Sequence, residues 1–574
     1  MTMNRMTTNG ADAGDYLVVK GNEITLHGEP ILLKGAGLGG WMNMENFITG
    51  YPGHEYQVRA ALKKTLGEEK YEFFFDKFLE HFFTDPDAAF FASLGLNCIR
   101  LPVNYRHFED DMNPRVFKTE GLKHLDRVIE ICARYGIYTV IDLHAAPGGQ
   151  NMDWHSDAGN HQALFWEHKD FQDRTVLIWE HLARVRRSRD PSLTCPCSPY
   201  NSRSTRGLPA LDKSSHDRLV VLVATSLTPL QHYKNNTWVA GYNPLNEPTD
   251  SEHTRLIAFY QRVEKAIRAI DPHHILFLDG NTFGADFSHF KEPLPNSVYA
   301  CHDYSSYGFP NAPSAFTGTP DQVAYHERSF ERKVEYMKQI KGPIWNGEFG
   351  PVYDDATDGP EWEKTNESRY GVLECQLDIY QRSRASWSIW LYKDIGFQGM
   401  VYVDPETPYM KLLEPFLKKK KASVSFPSHI PTLLRPPPTT TLRRDTLPRH
   451  SNLNFPDTAA GTRRRCLGLQ RPPVRDLFAP MTDWLSENVP SVNQRYPPMW
   501  RAKKHLSRIV RNILLSEELC HEYASYFDGL SHEQLEALAK SFSYDSCKQR
   551  TRLNEILRAD SAKTGDVRLA GTKA

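Results

Sequence analysis

The sequence predicts an α/β protein, a (β/α)8 TIM barrel followed by a C-terminal helical appendage. Three observations predict it. Between about residues 30 and 400, short apolar runs alternate with amphipathic stretches, the rhythm of parallel strands joined by helices. Each run holds about four to eight mainly apolar, β-prone residues before Gly, Pro or a polar residue ends it, as a strand buried on both faces does. Polar and aromatic residues then recur at the C-terminal ends of the runs, where a barrel opens its mouth. A doubly wound sheet is the structural rival, but it usually places a Gly-rich phosphate loop between its first strand and a helix. Here "GAGLGGWMNME" leads into no helix start.

In chain order the runs are "ILLKGAGLGG" (31–40), "LNCIRLPVNY" (96–105), "IYTVIDLHAAPG" (137–148) and "WVAGYNPLNEP" (238–248), then "ILFLDGN" (275–281), "SVYACHDY" (297–304), "PIWNGEFG" (343–350) and "SWSIWLYKD" (386–394). Of the stretches between them, "GLKHLDRVIEICARYG" sets Leu122, Leu125, Val128, Ile129 and Cys132 at i, i+3, i+4 spacing and ends on Gly136, a helix stop signal. "HTRLIAFYQRVEKAIRAIDP" and "AYHERSFERKVEYMKQIKG" follow the same pattern.

Two segments break the rhythm. Residues 185–231 lie between a helix and the fourth strand, where a connection is normally a few residues long. Removing them joins "WEHLAR" to "HYKNNTWVAGYNPLNEP", a natural helix–turn–strand. The segment starts on Val, whose codons begin GT, and ends on Gln, one of whose codons is CAG. It reads as a translated intron, with a disordered insertion as the alternative. Residues 422–465 are rich in Pro, Thr and Arg and read as disorder or as a second intron-like piece. The expected organisation is a disordered N-terminus at 1–20, a barrel over 21–420, a low-complexity linker at 421–470, a helical region at 471–560 and a disordered tail at 561–574.

The composition is 40% hydrophobic and 24% charged with a net charge of -1, which argues for no nucleic-acid partner and no anionic membrane surface. The N-terminus has no apolar leader core, and no run of about 18 apolar residues suggests a span. A cytoplasmic location without stable membrane insertion is therefore expected. The nine cysteines are scattered. Cys98 and Cys132 sit in apolar patterns as core thiols, which argues against a disulfide framework. Nothing in the sequence speaks to oligomeric state.

Read in order, the strand ends give Arg100, Asn104, His144, Asn246, Glu247, His302, Tyr304, Glu348 and Trp390. A lone Glu247 would be read as a helix cap. Together with Glu348 on the opposite wall it suggests glycoside hydrolysis, which needs one protonated acid and one ionised partner. Arg100 and His302 are expected to keep Glu348 ionised. Glu247, nearer apolar strand residues, is expected to hold its proton for the leaving group. Tyr304 would bond the nucleophile, Asn246 a sugar hydroxyl, and His144 the ring hydroxyls or the arginine. Trp390 offers a flat face to a pyranose, whereas Trp387 reads as core. His155 in "QNMDWHSDAGN" either lines the sugar subsite or shapes its loop. With no HExxH, no Cys/His cluster and no phosphate loop, no metal or cofactor is expected.

These motifs resemble glycoside hydrolase family 5. The resemblance rests on Asn246-Glu247-Pro248 on the fourth strand, Glu348 in "IWNGEFG" on the seventh, Arg100, His144, His302 with Tyr304, and Trp390. Within that family "GAGLGGWMNMENFITGYPGHE" and "DLHAAPGGQNMDWHSD" are most similar to the fungal exo-β-1,3-glucanases of the glucan 1,3-beta-glucosidase 3 type. The resemblance covers roughly residues 20–420 apart from 185–231. It implies a retaining mechanism with Glu247 as acid/base and Glu348 as nucleophile, releasing glucose from the non-reducing end of β-1,3-glucan. A glucosylated lipid is the alternative substrate, and a non-catalytic carbohydrate-binding barrel the alternative of another class.

Overall fold

The computed structural model describes residues 13–160, 162–184, 233–310, 312–424, 484, 487–489 and 515–563. Both rhythm-breaking segments, 185–231 and nearly all of 422–465, lie outside the described residues. The chain divides into two units, 1–411 with 516–574, and 412–515. Among its described residues the second unit holds the body of the helix Pro408–Val424. All that follows concerns the first.

Eight parallel strands close a barrel in it. They are β1 (Lys34–Gly37), β2 (Cys98–Asn104), β3 (Tyr138–Ala145), β4 (Val239–Asn243), β5 (Ile275–Asp279), β6 (Ser297–His302), β7 (Ile344–Glu348) and β8 (Ser386–Ile389). β8 returns to β1 with Trp387 opposite Lys34. Each falls inside one of the eight predicted runs. Every residue of the eight is buried, which is why the runs read as continuous rather than alternating. The helix Glu120–Arg134 buries Leu122, Leu125, Val128, Ile129 and Cys132 against the barrel, and Gly136 beyond it takes φ +71°. Cys98 and Cys132 are free, buried thiols.

One expectation is corrected. Residues 13–20 are ordered: Val18–Lys20 pairs with Glu23–Leu26, which pairs in turn with Glu29–Ile31. Leu17 and Ile24 pack with Cys98, Tyr138, Ile275 and Trp345, so their apolar surface leaves water beneath the strands. The expected C-terminal helices are packed onto the barrel. Ser516–Ser525, His532–Lys540 and Thr551–Ala562 share the barrel's unit, and Cys547–Gln549 is a strand pairing antiparallel with Val401–Val403. Phe542 stacks on Phe82 at 5.6 Å and meets Phe78 edge-on at 5.0 Å.

Candidate active site

The strand ends converge. Arg100, on β2, is 1% exposed and donates from Nη1 to Glu348 Oε1 at 2.6 Å. Its Nη2 donates to Asn246 Oδ1 at 2.6 Å and to Asn243 Oδ1 at 3.0 Å, and lies 3.1 Å from Asp142 Oδ2. Burial disfavours the guanidinium charge, but Asp142, Glu348 and Asp279 more than compensate and hold it charged. The Tyr304 hydroxyl donates to Glu348 Oε2 at 3.0 Å. Both oxygens of Glu348 thus accept from fixed donors.

Glu247 sits four residues past the end of β4 at φ +48°, a conformation costing a non-glycine residue roughly 1–2 kcal/mol. Its backbone is pinned on both sides: the amide donates to Asp279 Oδ2 at 2.9 Å, and the carbonyl accepts from Asn151 Nδ2 at 2.9 Å. The side chain is held between two imidazoles. His302 Nδ1 lies 2.7 Å from Oε1 and His155 Nε2 lies 3.1 Å from Oε2.

This overturns the expectation that apolar surroundings keep Glu247 protonated. Burial does push its carboxyl up, but hydrogen bonds from His155 and His302 and their charges outweigh it and leave the net shift strongly downward. Burial lowers each imidazole, and the carboxylates around them outweigh that too, raising both. The shifts of this trio run toward an ionised Glu247 beside protonated rings, with Asn151 Nδ2 2.8 Å from His155 Nε2 as a further neighbour. His302 is thus a partner of Glu247 first, with its Nδ1 3.7 Å from Glu348 Oε2.

His144 supports the arginine rather than an open subsite. Its Nδ1 lies 2.7 Å from Asp142 Oδ2 and its Nε2 3.3 Å from Asn246 Nδ2. Burial keeps this ring neutral, pushing it well below the ordinary histidine value, so Nδ1–H donating to Asp142 is the tautomer the network requires. Trp390 stacks on His144 with centroids 5.3 Å apart at 6° and is 3% exposed. One of its flat faces is therefore already covered. Trp387 is core, edge-on to Phe349 at 5.7 Å.

Asn104 is the one predicted residue placed elsewhere. Its amide donates to Glu55 Oε2 at 3.1 Å and Asp157 Oδ2 at 3.0 Å, because β2 runs on past Arg100 and leaves Asn104 under the helix Glu55–Leu66. The sequence reading missed Asn243, Asp142, Asp279 and Glu45. Asn243 bridges Arg100 and Asp279 Oδ1, the latter at 3.1 Å. Burial pushes Asp142 and Asp279 each up to about 6. Glu45 accepts from Trp154 Nε1 at 3.0 Å, and burial pushes it up to about 8. An acid inside an apolar strand run was the available signal for Asp142 and Asp279; Glu45 lies on a loop with no such signal.

Oxygens of Glu247 and Glu348 lie within 4.8 Å of one another, with a nitrogen of His302 equally near. The trio has the spacing of a metal site, but Arg100 at 2.6 Å from Glu348 and the proton carried by the histidines oppose a cation there. What the arrangement suits is a reaction between two carboxylates in unlike surroundings, one oriented by Arg100 and Tyr304 and one held between two imidazoles.

Comparisons with known proteins identify the family. The family model "Cellulase (glycosyl hydrolase family 5)" matches residues 70–192 and 229–396. A "Beta-xylosidase" of Phanerodontia chrysosporium is 50% identical over 549 residues, 94% of this chain and 97% of that protein. A "Probable glucan 1,3-beta-glucosidase A" of Aspergillus fumigatus is 24% identical over 403 residues, 64% of this chain and 84% of its own. The structure of Thermotoga maritima Cel5A with mannotriose aligns with 55% of this chain and 85% of its own at 18% identity and a TM-score of 0.39. By the family match over half its length and the relative sharing half its residues end to end, the chain belongs to glycoside hydrolase family 5.

Proposed function

We propose that this protein is a retaining β-glycosidase that removes a terminal pyranose. The observation that carries this is the placement of Glu247 and Glu348 with oxygens within 4.8 Å, nearer the short separation of a retaining pair, about 5–5.5 Å, than the roughly 6.5–9.5 Å of an inverting one. Glu348, oriented by Arg100 and Tyr304, attacks the anomeric carbon and forms the glycosyl-enzyme bond. Glu247 gives the leaving oxygen a proton drawn from His155 or His302, then takes one back from the water that breaks the intermediate. Neutral Glu45 and the free N–H of Asn246 are positioned to bind sugar hydroxyls.

The substrate reading follows the relatives. The relative matched end to end is a beta-xylosidase, which favours a β-linked xylose. Glucose at the end of β-1,3-glucan is the second reading, favoured by the glucan 1,3-beta-glucosidases at lower identity. Phe47 packs against the Trp390 cluster and meets the half-exposed Phe397 at 5.4 Å, an aromatic rim suited to a neighbouring sugar face. The test is turnover of p-nitrophenyl β-D-xyloside and β-D-glucoside and of laminarin, with the first-formed anomer read by proton NMR. Release of β-xylose or β-glucose carries the reading. Release of the α-anomer overturns retention, and no turnover of any of the three overturns the substrate class.

A further inference from the structure

The loop that sets His155 on Glu247 also sets Asp157 into the wall of a cavity of about 250 Å³. Arg59, Tyr71, Arg106, His107 and Lys118 line it with Glu55 and Asn104. Its acceptors are already committed. Glu55 Oε1 accepts from Arg59 Nε at 2.6 Å, and Oε2 accepts from the Met44 amide at 2.8 Å and from Asn104. Asp157 accepts from the Tyr56 amide at 3.0 Å, from Asn104 and from Arg106.

Its donors are not. Arg59 Nη1 has only the Tyr71 hydroxyl at 3.4 Å and Nη2 only the Met44 sulfur at 3.8 Å. Lys118 Nζ donates once, to the Arg106 carbonyl at 3.1 Å, and enters no ion pair among the described residues. Tyr71, accepting from Arg59, keeps its own proton to give. A guanidinium has five N–H groups and an ammonium three, with no acceptor on either, so a ligand here must bring oxygens and negative charge. A neutral sugar would leave Lys118 without a counter-charge.

We propose that this cavity is a binding site for a small oxyanion, a phosphate or a sugar-borne carboxylate, held by Arg59 and Lys118 with the Tyr71 hydroxyl. The volume equals that of about eight waters, so it accepts an anion carried on a single pyranose as well as the free ion. The imidazole of His107 on the same wall is pushed well below its ordinary value chiefly by burial, with Arg59, His124 and Lys118 adding to it. The site does not depend on the identity of the glycoside hydrolysed in the barrel mouth.

The experiment is calorimetric titration of the full-length protein with inorganic phosphate, a hexose 6-phosphate and glucuronate, each in chloride medium at fixed ionic strength. Saturable binding of at least one probe is expected, weakened at least about tenfold by Lys118→Gln and by Arg59→Gln and kept by Glu348→Gln. The tighter probe distinguishes free phosphate from a sugar-borne anion. Should Arg59→Gln misfold through loss of its bond to Glu55, Lys118→Gln decides alone, since that ammonium makes a single hydrogen bond. Absence of saturable binding by all three probes, binding unchanged by Lys118→Gln, or binding lost in Glu348→Gln would overturn the proposal.

Discussion

Glu247 and Glu348 share a mouth but differ in what surrounds them, and their variants should differ accordingly. Glu348→Ala removes the proposed nucleophile, which Arg100 and Tyr304 orient; kcat on an aryl glycoside should fall by about 10⁴-fold or more with the circular dichroism spectrum unchanged. Glu247→Gln keeps the shape but cannot give or take a proton, and a loss of about 10²–10⁴-fold is expected. Activity of Glu348→Ala within tenfold of wild type would remove the assignment. The pH dependence of stability follows from the neighbours. Glu247, net lowered, stabilises the fold above the ordinary glutamate value, and this is lost as pH falls. His155 and His302, net raised, stabilise it below the ordinary histidine value, and this is lost as pH rises through their raised values. The trio contributes most between roughly pH 4.3 and 6.5. Glu45, pushed up to about 8 by burial, works against stability as pH climbs from the ordinary glutamate value towards 8, because the unfolded chain gives up that proton while the fold keeps it. Glu45→Gln should therefore gain in melting temperature over wild type from pH 6 to pH 9; a constant difference would show that Glu45 does not titrate there. At this scale the sequence was legible where a polar residue ended an apolar strand, Asn104 excepted. It misled at Glu247, because apolar strand neighbours said nothing of His155, which arrives on a loop from a distant part of the chain.

Among the elements, the strands were legible because burial on both faces leaves an unbroken apolar run. The C-terminal strand Cys547–Gln549 was not, since three half-exposed residues carry no period and its partner Val401–Val403 is far off in sequence. That strand leads into the helix Thr551–Ala562, which supplies a counter-charge to the barrel floor. Lys34 on β1 lies 2.7 Å from Asp560 Oδ2, with the two side chains 1% and 2% exposed. Removing one partner of such a pair leaves a buried charge and costs about 3–5 kcal/mol. Asp560→Ala should lower the unfolding free energy by that order in urea titration, and Lys34→Met with Asp560→Leu should recover most of it. A loss under about 1 kcal/mol in the single variant would mean water reaches Lys34. The barrel seam sets a second constraint. A Cβ on Gly37 would stand 2.7 Å from the Trp390 ring, closer than any real contact. Gly37→Ala should cost about 1–3 kcal/mol and raise KM by displacing Trp390 from His144. An unchanged KM would show that Trp390 does not set sugar binding.

On the scale of the whole molecule, the segment 185–231 interrupts a barrel that is complete without it. The helix before it ends at Ala183 and the turn after it begins at Tyr233, and these two elements touch each other, so the ends to be joined are already neighbours. The family model breaks off at 192 and resumes at 229, nearly the same borders that the loop-length argument draws from sequence alone. Every residue of the candidate active site, from Glu45 to Trp390, lies outside the segment. Loop-closure cost grows only slowly with length, about 0.6 kcal/mol per doubling, so deletion should alter stability modestly while removing a stretch most of which the family model leaves unmatched. The protein lacking residues 185–231 should fold with the same circular dichroism spectrum, keep kcat and KM within about twofold, and accumulate to higher soluble yield. Transcripts of the same locus should include a form spliced at these borders. Loss of folding or of activity on deletion would show instead that the segment is a working part of the enzyme, and the connection from the third helix to β4 would then have to be counted among the elements that build the site.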